Sequence, residues 1–431
     1  IVFFSYQQTI ETYPGGGGSY TVARHNLGVF PGLLAAAALM IDYILVVAVG
    51  ISAGVGALVS AAPNLQPYTL TLCLGILAVV TVINLRGVRE TGFVFMIPTY
   101  LFVGTLLIAI GIGLARTVAS GGHPVPLVKL PPAPRAMAAV SVWLLLKAFA
   151  SGCTAMTGVE AVSNGVKAFR EPTARNARRT LAVIIGLLIV MLAGIAYLVR
   201  AYGIAATDPG APGYQSVLAM LVAAVAGKGL FYYVTIGSIL LVLALSANTA
   251  FADFPRLCRI IAHDGFLPRS FALRGRRLVY SQGVYVLAAL AAVLLVVFRG
   301  VTDRLIPLFA VGAFLAFTLS QTGMVFHWKR AGGPGAWHSM LVNGLGATAT
   351  AITVVVVLLA KFMAGAWITL LLVPGLLIVM IAVRRQYHQM SMSVLSQSPL
   401  ELHGFQSPLV VVPLERWSRI AKKALTFALN I

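Results

Sequence analysis

The sequence predicts an all-α protein that crosses a membrane many times, and three observations carry that prediction. Hydrophobic residues make up 59% of the 431 residues and charged residues only 10%, with a mean hydropathy of +0.93, a balance that belongs to polytopic membrane chains. Apolar segments recur at close to the roughly 20 residues that a helix needs to cross hydrocarbon. Most of the Lys and Arg residues fall between those segments rather than within them. A net charge of +20 would point to nucleic acid in a soluble chain. Here the basic loops account for it through topology, and no nucleic-acid partner is expected.

Taken in order, the chain opens at Ile1 with IVFFSYQQTIETYP, apolar with polar residues interspersed and without a methionine. The expectation is a start inside or just before a helix, with no signal peptide ahead of it. Apolar spans follow at about 1–12 (partial), 32–60, 68–85, 93–115, 138–169, 180–200, 230–252, 282–298, 305–326, 342–360 and 364–383, which makes eleven, the first incomplete. If the loop with Arg24 is cytoplasmic and sides alternate from there, that side collects eighteen Lys and Arg, from Arg24 to Arg384 and Arg385. The other side collects eight, from Arg116 to Lys361. The asymmetry follows the positive-inside rule and predicts a multi-pass protein of the cell membrane with a cytoplasmic C-terminal tail. Lys147 lies inside a span and is expected to snorkel outward, with pairing to a carboxylate across the bundle as the alternative.

Three loops carry signals. YPGGGGSY (Tyr13 to Tyr20) reads as a tight turn or re-entry, since no Lys-Ser/Thr follows to make a phosphate loop. HPVPLVKLPPAP, within the loop from Arg116 to Arg135, favours extended backbone outside the membrane. HDGFLPRSF sits in a basic linker in which His263 and Asp264 read as turn residues. Beyond 1–385, the transmembrane transporter domain, residues 386–407 read as a cytoplasmic linker. From 408 to 431, PLVVVPLE as a strand and RWSRIAKKALTFALNI as an amphipathic helix predict the start of a cytoplasmic α/β domain, with an interfacial helix as the rival reading.

The span that organises the rest runs through SGCTAMTGVEAVSNGV, Ser151 to Val166. It holds Gly152, Gly158 and Gly165, the hydroxyls of Ser151, Thr154, Thr157 and Ser163, and the carboxylate of Glu160. A plain spanning helix uses none of these, since a charge at membrane depth costs about 2.5–3.5 kcal/mol on insertion scales. Broken helices are tolerated there where the freed backbone lines a cavity or is buried in protein. Unwound carbonyls, half-helix ends and hydroxyls at the midplane are how a transporter holds a small polar solute. The segment is therefore read as a discontinuous helix and half of a binding site, against a bland alternative of close packing through small residues. Asp42 and Tyr43, in MIDYILVVAVG, add an acid without a local partner that must face a cavity, meet a cation or be protonated. Ser246, Asn248, Thr249 and Asp253, in SANTAFADFP, bring further polar groups. They serve a site or only interhelical contact. No HExxH, paired Cys–His spacing or nucleophile with a base marks an enzyme, and Cys73, Cys153 and Cys258 give neither a disulfide framework nor a metal site.

The order of YPGGGGSY, MIDYILVVAVGISAG, NLRGVRE, SGCTAMTGVEAVSNGV, SANTAFADFP and HDGFLP resembles the amino acid–polyamine–organocation (APC) superfamily of permeases over essentially the whole chain. Within it the chain is most similar to the KUP-type (KimA-like) bacterial potassium importers. PLVVVPLERWSRIAKKAL resembles the opening of their universal-stress-protein-like domain. The resemblance implies a LeuT-like five-plus-five inverted repeat with two further helices, the first helix largely missing here. It also implies proton coupling, no cofactor, and a homodimer through the cytoplasmic domain. By the same resemblance Thr157 and Tyr43 contact a transported cation, Glu160 serves coupling or charge balance, and Asp42 with Tyr43 matches the family's third helix; Thr154, Gly158, Ser246 and Thr249, from the residues themselves, complete the candidate set. Where those importers have Thr and Ser, this sequence has Val46 and Gly50. Losing two hydroxyls weakens a cation site, and the room left suits an organic solute. The expected function is proton-coupled import of a small solute, K⁺ first. An amino acid:proton symporter is the alternative, and a membrane solute sensor or a passive channel the rivals from other classes.

Overall fold

The computed structural model describes residues 1–14, 16, 18–87, 92–131, 141–166, 169–208, 213–275, 279–394, 411–412, 417 and 419–430. All regular structure among them is helical, in the order α1 (Val2–Thr12), α2 (Gly18–Leu27), α3 (Val29–Ala61), α4 (Thr69–Leu85), α5 (Gly92–Ala119), α6 (Val142–Gly152), α7 (Val159–Asn164), α8 (Thr173–Ala201), α9 (Val217–Ala226), α10 (Leu230–His263), α11 (Ser281–Val297), α12 (Thr302–Ala331), α13 (Ala336–Lys361), α14 (Ala366–Val394) and α15 (Arg419–Leu429). Nine helical stretches among the described residues are long and apolar enough to cross a membrane, with α6 through α7 counted as one. The other two expected spans are α1, with 11 residues, and α11, with 17. At 1.5 Å per residue, α11 reaches about 25 Å, a little short of the hydrocarbon thickness.

The chain divides into two compact units, Ile1–Arg385 and Gln386–Ile431. In the first, α3 is the axis. Of its most apolar stretch 83% is buried and of that in α12 72%, against 6% in α8, which puts α3 and α12 at the centre and α8 at the periphery. Small residues make this possible, because helices in a membrane associate by close backbone approach rather than by exclusion of water. Ala35, Ala36, Ala37 and Ala38 are fully buried. A β-carbon added at Gly312 of α12 would stand 3.1 Å from the Ala38 carbonyl oxygen of α3, and one at Gly50 of α3 would stand 3.1 Å from the Leu243 carbonyl oxygen of α10. Polar side chains join the outer helices. Ser5 of α1 donates to Asn343 of α13 at 2.6 Å, Asn343 donates to Gln8 at 2.7 Å, and the Thr350 hydroxyl bridges Thr318 and Gln321 at 3.0 Å each.

Three findings depart from the expected elements. Helix α10 continues to His263 rather than stopping near residue 252, because Phe251, Phe254, Cys258 and Ile261 keep a buried stripe at helical spacing. Helix α9 lies in a stretch with no expected span: its ten residues, VLAMLVAAVA, are too few to cross a bilayer and are almost all buried. The Leu127 amide, from the proline-rich loop, donates to the Ala224 carbonyl of α9 at 2.9 Å. Asp264 does more than turn the chain. It forms an ion pair with Arg24 and accepts the Tyr20 hydroxyl, while its carbonyl takes Arg384 Nη1 at 3.1 Å, which ties α2 to the end of α10. Burial pushes the Tyr20 phenol up and neighbouring Arg24 opposes it; the phenol donates to Asp264 as O–H.

In the second unit, α15 forms where the amphipathic helix is expected, with Ala421 buried and Ile420, Phe427 and Leu429 exposed. The expected strand PLVVVPLE falls, apart from residues 411–412, outside the described residues. Lys147 is exposed and stands over the Trp143 ring at 5.8 Å, as a snorkelling lysine does.

A side chain at Gly312 is expected to force α12 from α3. Gly312→Leu should lower stability by about 1–3 kcal/mol, measured by thermal unfolding in detergent. Gly375→Leu, where a β-carbon would meet nothing within 4 Å, should leave the midpoint unchanged.

Candidate functional site

The helix expected to break does so. Helix α6 ends at Gly152 and passes through a 3₁₀ turn at Cys153–Met156. Thr157 is extended, with φ −70° and ψ 152°, and Gly158 is left-handed, with φ 90° and ψ −12°. Helix α7 restarts at Val159 and ends at Asn164. The local chemistry explains the break. The Thr154 hydroxyl donates to the Ser151 carbonyl at 2.6 Å, and the Thr157 hydroxyl to the Thr154 carbonyl at 2.7 Å, so side chains compete with the helical ladder. Gly158 takes a conformation that costs an L-residue roughly 1–2 kcal/mol. Its amide then donates to both carboxylate oxygens of Glu160, at 3.1 and 3.3 Å, so the acid caps the restarted helix.

Around this break the fold gathers a polar cluster inside the apolar bundle. Glu160 is 2% exposed and Asp42 fully buried. They are electrostatic neighbours, and Asp253 of α10 lies within reach of Glu160. Arg256 pairs with Asp253 at 3.2 Å. Neither oxygen of Asp42 meets a hydrogen-bond donor among the described residues, and none of the described ion pairs involves Asp42 or Glu160. A carboxylate pair in a dry interior persists when a proton or a cation neutralises it. Among the described residues no group of three or more His, Cys, Asp or Glu could hold a metal ion.

Two further members of the cluster escaped sequence reasoning. Asn164, the last residue of α7, donates to the Tyr43 hydroxyl at 2.6 Å. Tyr6 of α1 is buried beside Glu160, with its hydroxyl 3.4 Å from that of Ser19 and in contact with Ser320. The glycine loop fits against the same place. A β-carbon at Gly16 would stand 2.7 Å from the Asn164 carbonyl oxygen, and one at Gly18 would overlap the Asn164 side chain. Asn164 was legible only as one more polar residue in SNGV, and Tyr6 as one more in FFSYQQ.

Of the eight residues singled out, the structure brings Asp42, Tyr43 and Glu160 into one buried cluster, and sets Thr154, Thr157 and Gly158 at the break beside it. Ser246 and Thr249 are exposed on α10, and neither hydrogen-bonds to the cluster among the described residues. Gly50 departs from expectation. It leaves no room for an organic solute, because the backbone of α10 closes onto it at the Leu243 carbonyl. Val46, partly buried, packs against the core.

Comparison with known proteins gives two findings. The family model described as amino acid permease matches residues 1–383. The potassium transporter KimA of Bacillus subtilis (strain 168) is 38% identical over 442 residues, covering 100% of this chain and 69% of that protein.

The break itself can be tested by backbone strain. Gly158→Ala meets no neighbour within 4 Å, so its whole effect is conformational, about 1–2 kcal/mol of destabilisation read by thermal unfolding. Gly152→Ala, at φ −66° and with equally open surroundings, should be neutral. Equal midpoints for the two variants would show that the helix does not turn left-handed at Gly158.

Proposed function

Since the chain belongs to the amino acid permease family, we propose that it imports potassium ions by secondary active transport coupled to protons. One observation carries this reading: two buried carboxylates, Asp42 and Glu160, stand together at a broken membrane helix with no cationic side chain paired to either among the described residues. A monovalent cation and a proton are the two species that such a pair accommodates in turn. The KimA relative, named as a potassium transporter, supports the same cargo.

The residues divide the work as follows. The Thr157 hydroxyl donates its proton to the Thr154 carbonyl and keeps its lone pairs for a cation. Tyr43 is oriented by the amide of Asn164 and offers a second oxygen. A bare cation needs several such ligands to replace its water, and backbone oxygens at the break supply others. Glu160 links proton occupancy to geometry. As a carboxylate it holds the Gly158 amide with both oxygens; protonated, it keeps one acceptor free and turns the other into a donor. Alternating access then rocks one bundle against the other around the break, with the Tyr20–Arg24–Asp264 clamp closing the end that carries the basic loops. In this reading that end, and Gln386–Ile431, face the cytoplasm, and two copies pair through the domain that begins there.

Import of an amino acid is the second reading, favoured by the family description and by Val46 in place of a hydroxyl. Proteoliposomes separate the two. Rubidium, as a potassium tracer, should accumulate when an inward proton gradient is imposed, and amino acids should neither accumulate nor compete. Binding without flux would mean a sensor, and flux indifferent to the proton gradient a channel.

Thr157→Val should abolish rubidium uptake while the protein still folds, its stability lowered by only about 0.5–1.5 kcal/mol for the lost bond to the Thr154 carbonyl. Glu160→Gln, which retains an acceptor for the Gly158 amide but cannot ionise, should flatten the pH dependence of uptake. A wild-type pH profile in that variant would remove Glu160 from coupling.

A further inference from the structure

A separate cavity lies on the outside of the bundle, where α1 meets α8. An open cavity of about 570 Å³ is lined by Gln7, Glu11, Pro172, Arg175, Arg178 and Arg179, together with Ala174 and Ala182. That volume falls in the roughly 300–1,000 Å³ range of small-molecule sites. Three guanidiniums face one carboxylate, so the lining is net basic. Arg178 Nη1 pairs with Glu11 Oε2 at 3.0 Å, the only ion pair at this cavity among the described residues. The charges of Arg175 and Arg179 are left over. These two stand one helical turn apart on α8 and present their planar donor forks on the same face, the geometry that binds phosphate oxygens in pairs.

The same face continues into the apolar part of the helix. One turn beyond Arg178 and Arg179 comes Ala182, then Gly186, then Ile189 and Val190, all exposed, with Val183 exposed alongside. No side chain approaches within 4 Å of the position a β-carbon would take at Gly186, so the strip is a shallow furrow. A basic pocket that opens directly into an outward-facing apolar furrow on a peripheral membrane helix is complementary to one class of molecule, with an anionic phosphate at one end and a hydrocarbon chain at the other.

We propose that the Arg175–Arg178–Arg179 cavity holds the phosphate headgroup of an anionic phospholipid, with an acyl chain lying along Ala182, Gly186 and Ile189 of α8. The bound lipid would bridge α1 and α8, which flank the broken helix, so its occupancy would bear on how those two helices move. The site is separate from the carboxylate cluster and stands whether or not potassium is the cargo.

The test is native mass spectrometry of the full chain released from nanodiscs of mixed phosphatidylglycerol and phosphatidylcholine. Retained phosphatidylglycerol in preference to phosphatidylcholine is expected, falling as salt is raised. Arg175→Gln with Arg179→Gln should weaken that retention about 30-fold, from two basic side chains near an anionic headgroup. Ala182→Trp fills the mouth of the furrow without touching a charge and should also release the lipid, which keeps the test decisive if the double variant fails to fold. Equal retention of the two lipids, or undiminished phosphatidylglycerol on folded Ala182→Trp, would overturn the proposal. Inorganic phosphate in phosphatidylcholine-only nanodiscs separates the remaining source. If it raises the unfolding midpoint as much as phosphatidylglycerol does, the cavity binds free phosphate and the lipid assignment fails.

Discussion

Hydrocarbon offers no water to a peptide group released from a helix, and that constraint governs how this chain is built around Gly158. Each group at the break has to be met by protein. Hydroxyls of Thr154 and Thr157 fold back onto the carbonyls of Ser151 and Thr154, and the Glu160 carboxylate takes the Gly158 amide. The far end of the short helix is held by the Asn164–Tyr43 hydrogen bond and by a loop so rich in glycine that its backbone lies directly on Asn164. Remove the break and none of these features has a use. An unbroken helix would need neither a capping acid nor Gly16 and Gly18 set against Asn164.

The break could not persist in a soft surround, and α3 supplies the stiffness. Its alanines and glycines let α10 and α12 approach to backbone contact on two sides. Tyr43, which accepts from Asn164, and Asp42, the neighbour of Glu160, are consecutive on this buried helix. Small residues thus do two jobs in one helix: they pack its neighbours closely, and they fix the polar pair against which the discontinuous helix is set. Polar side chains add further links. Helices α1 and α13 are joined through Asn343, whose amide links Ser5 and Gln8, and α2 reaches the end of α10 through an ion pair.

How much of this the sequence discloses depends on the distance over which each interaction acts. The membrane class, nearly all the spans and the interruption at Gly158 are local properties of composition and order, and they read directly. A glycine, three hydroxyls and an acid inside an apolar run leave few alternatives. What joins Asn164 to Tyr43 across 121 positions, or Arg24 to Asp264 across 240, is written nowhere in either segment. Asp264 therefore reads as a turn residue until the fold brings Arg24 to it. Helix α9 escaped because ten apolar residues, buried from Ala219 to Val225, have no period and no membrane length to betray them. Ser246 and Thr249 read like Asn248 beside them, but the helical turn buries Asn248 and leaves those two exposed.

Gly50 shows why a missing side chain cannot be equated with a vacancy. Read along α3 alone, a glycine where a hydroxyl might stand leaves a hole, and a hole invites a larger cargo. In a membrane bundle the neighbouring helix is free to advance until its own backbone makes contact, because close approach is the chief source of its cohesion. Helix α10 has done so, and the space that a hydroxyl would fill lies against the main-chain oxygen of Leu243. Substituting a small residue on one helix therefore changes which atoms face a site instead of enlarging it. The oxygen lost from a side chain is exchanged for one belonging to the backbone next door, and a cargo inferred from side chains alone is inferred from the wrong set of atoms.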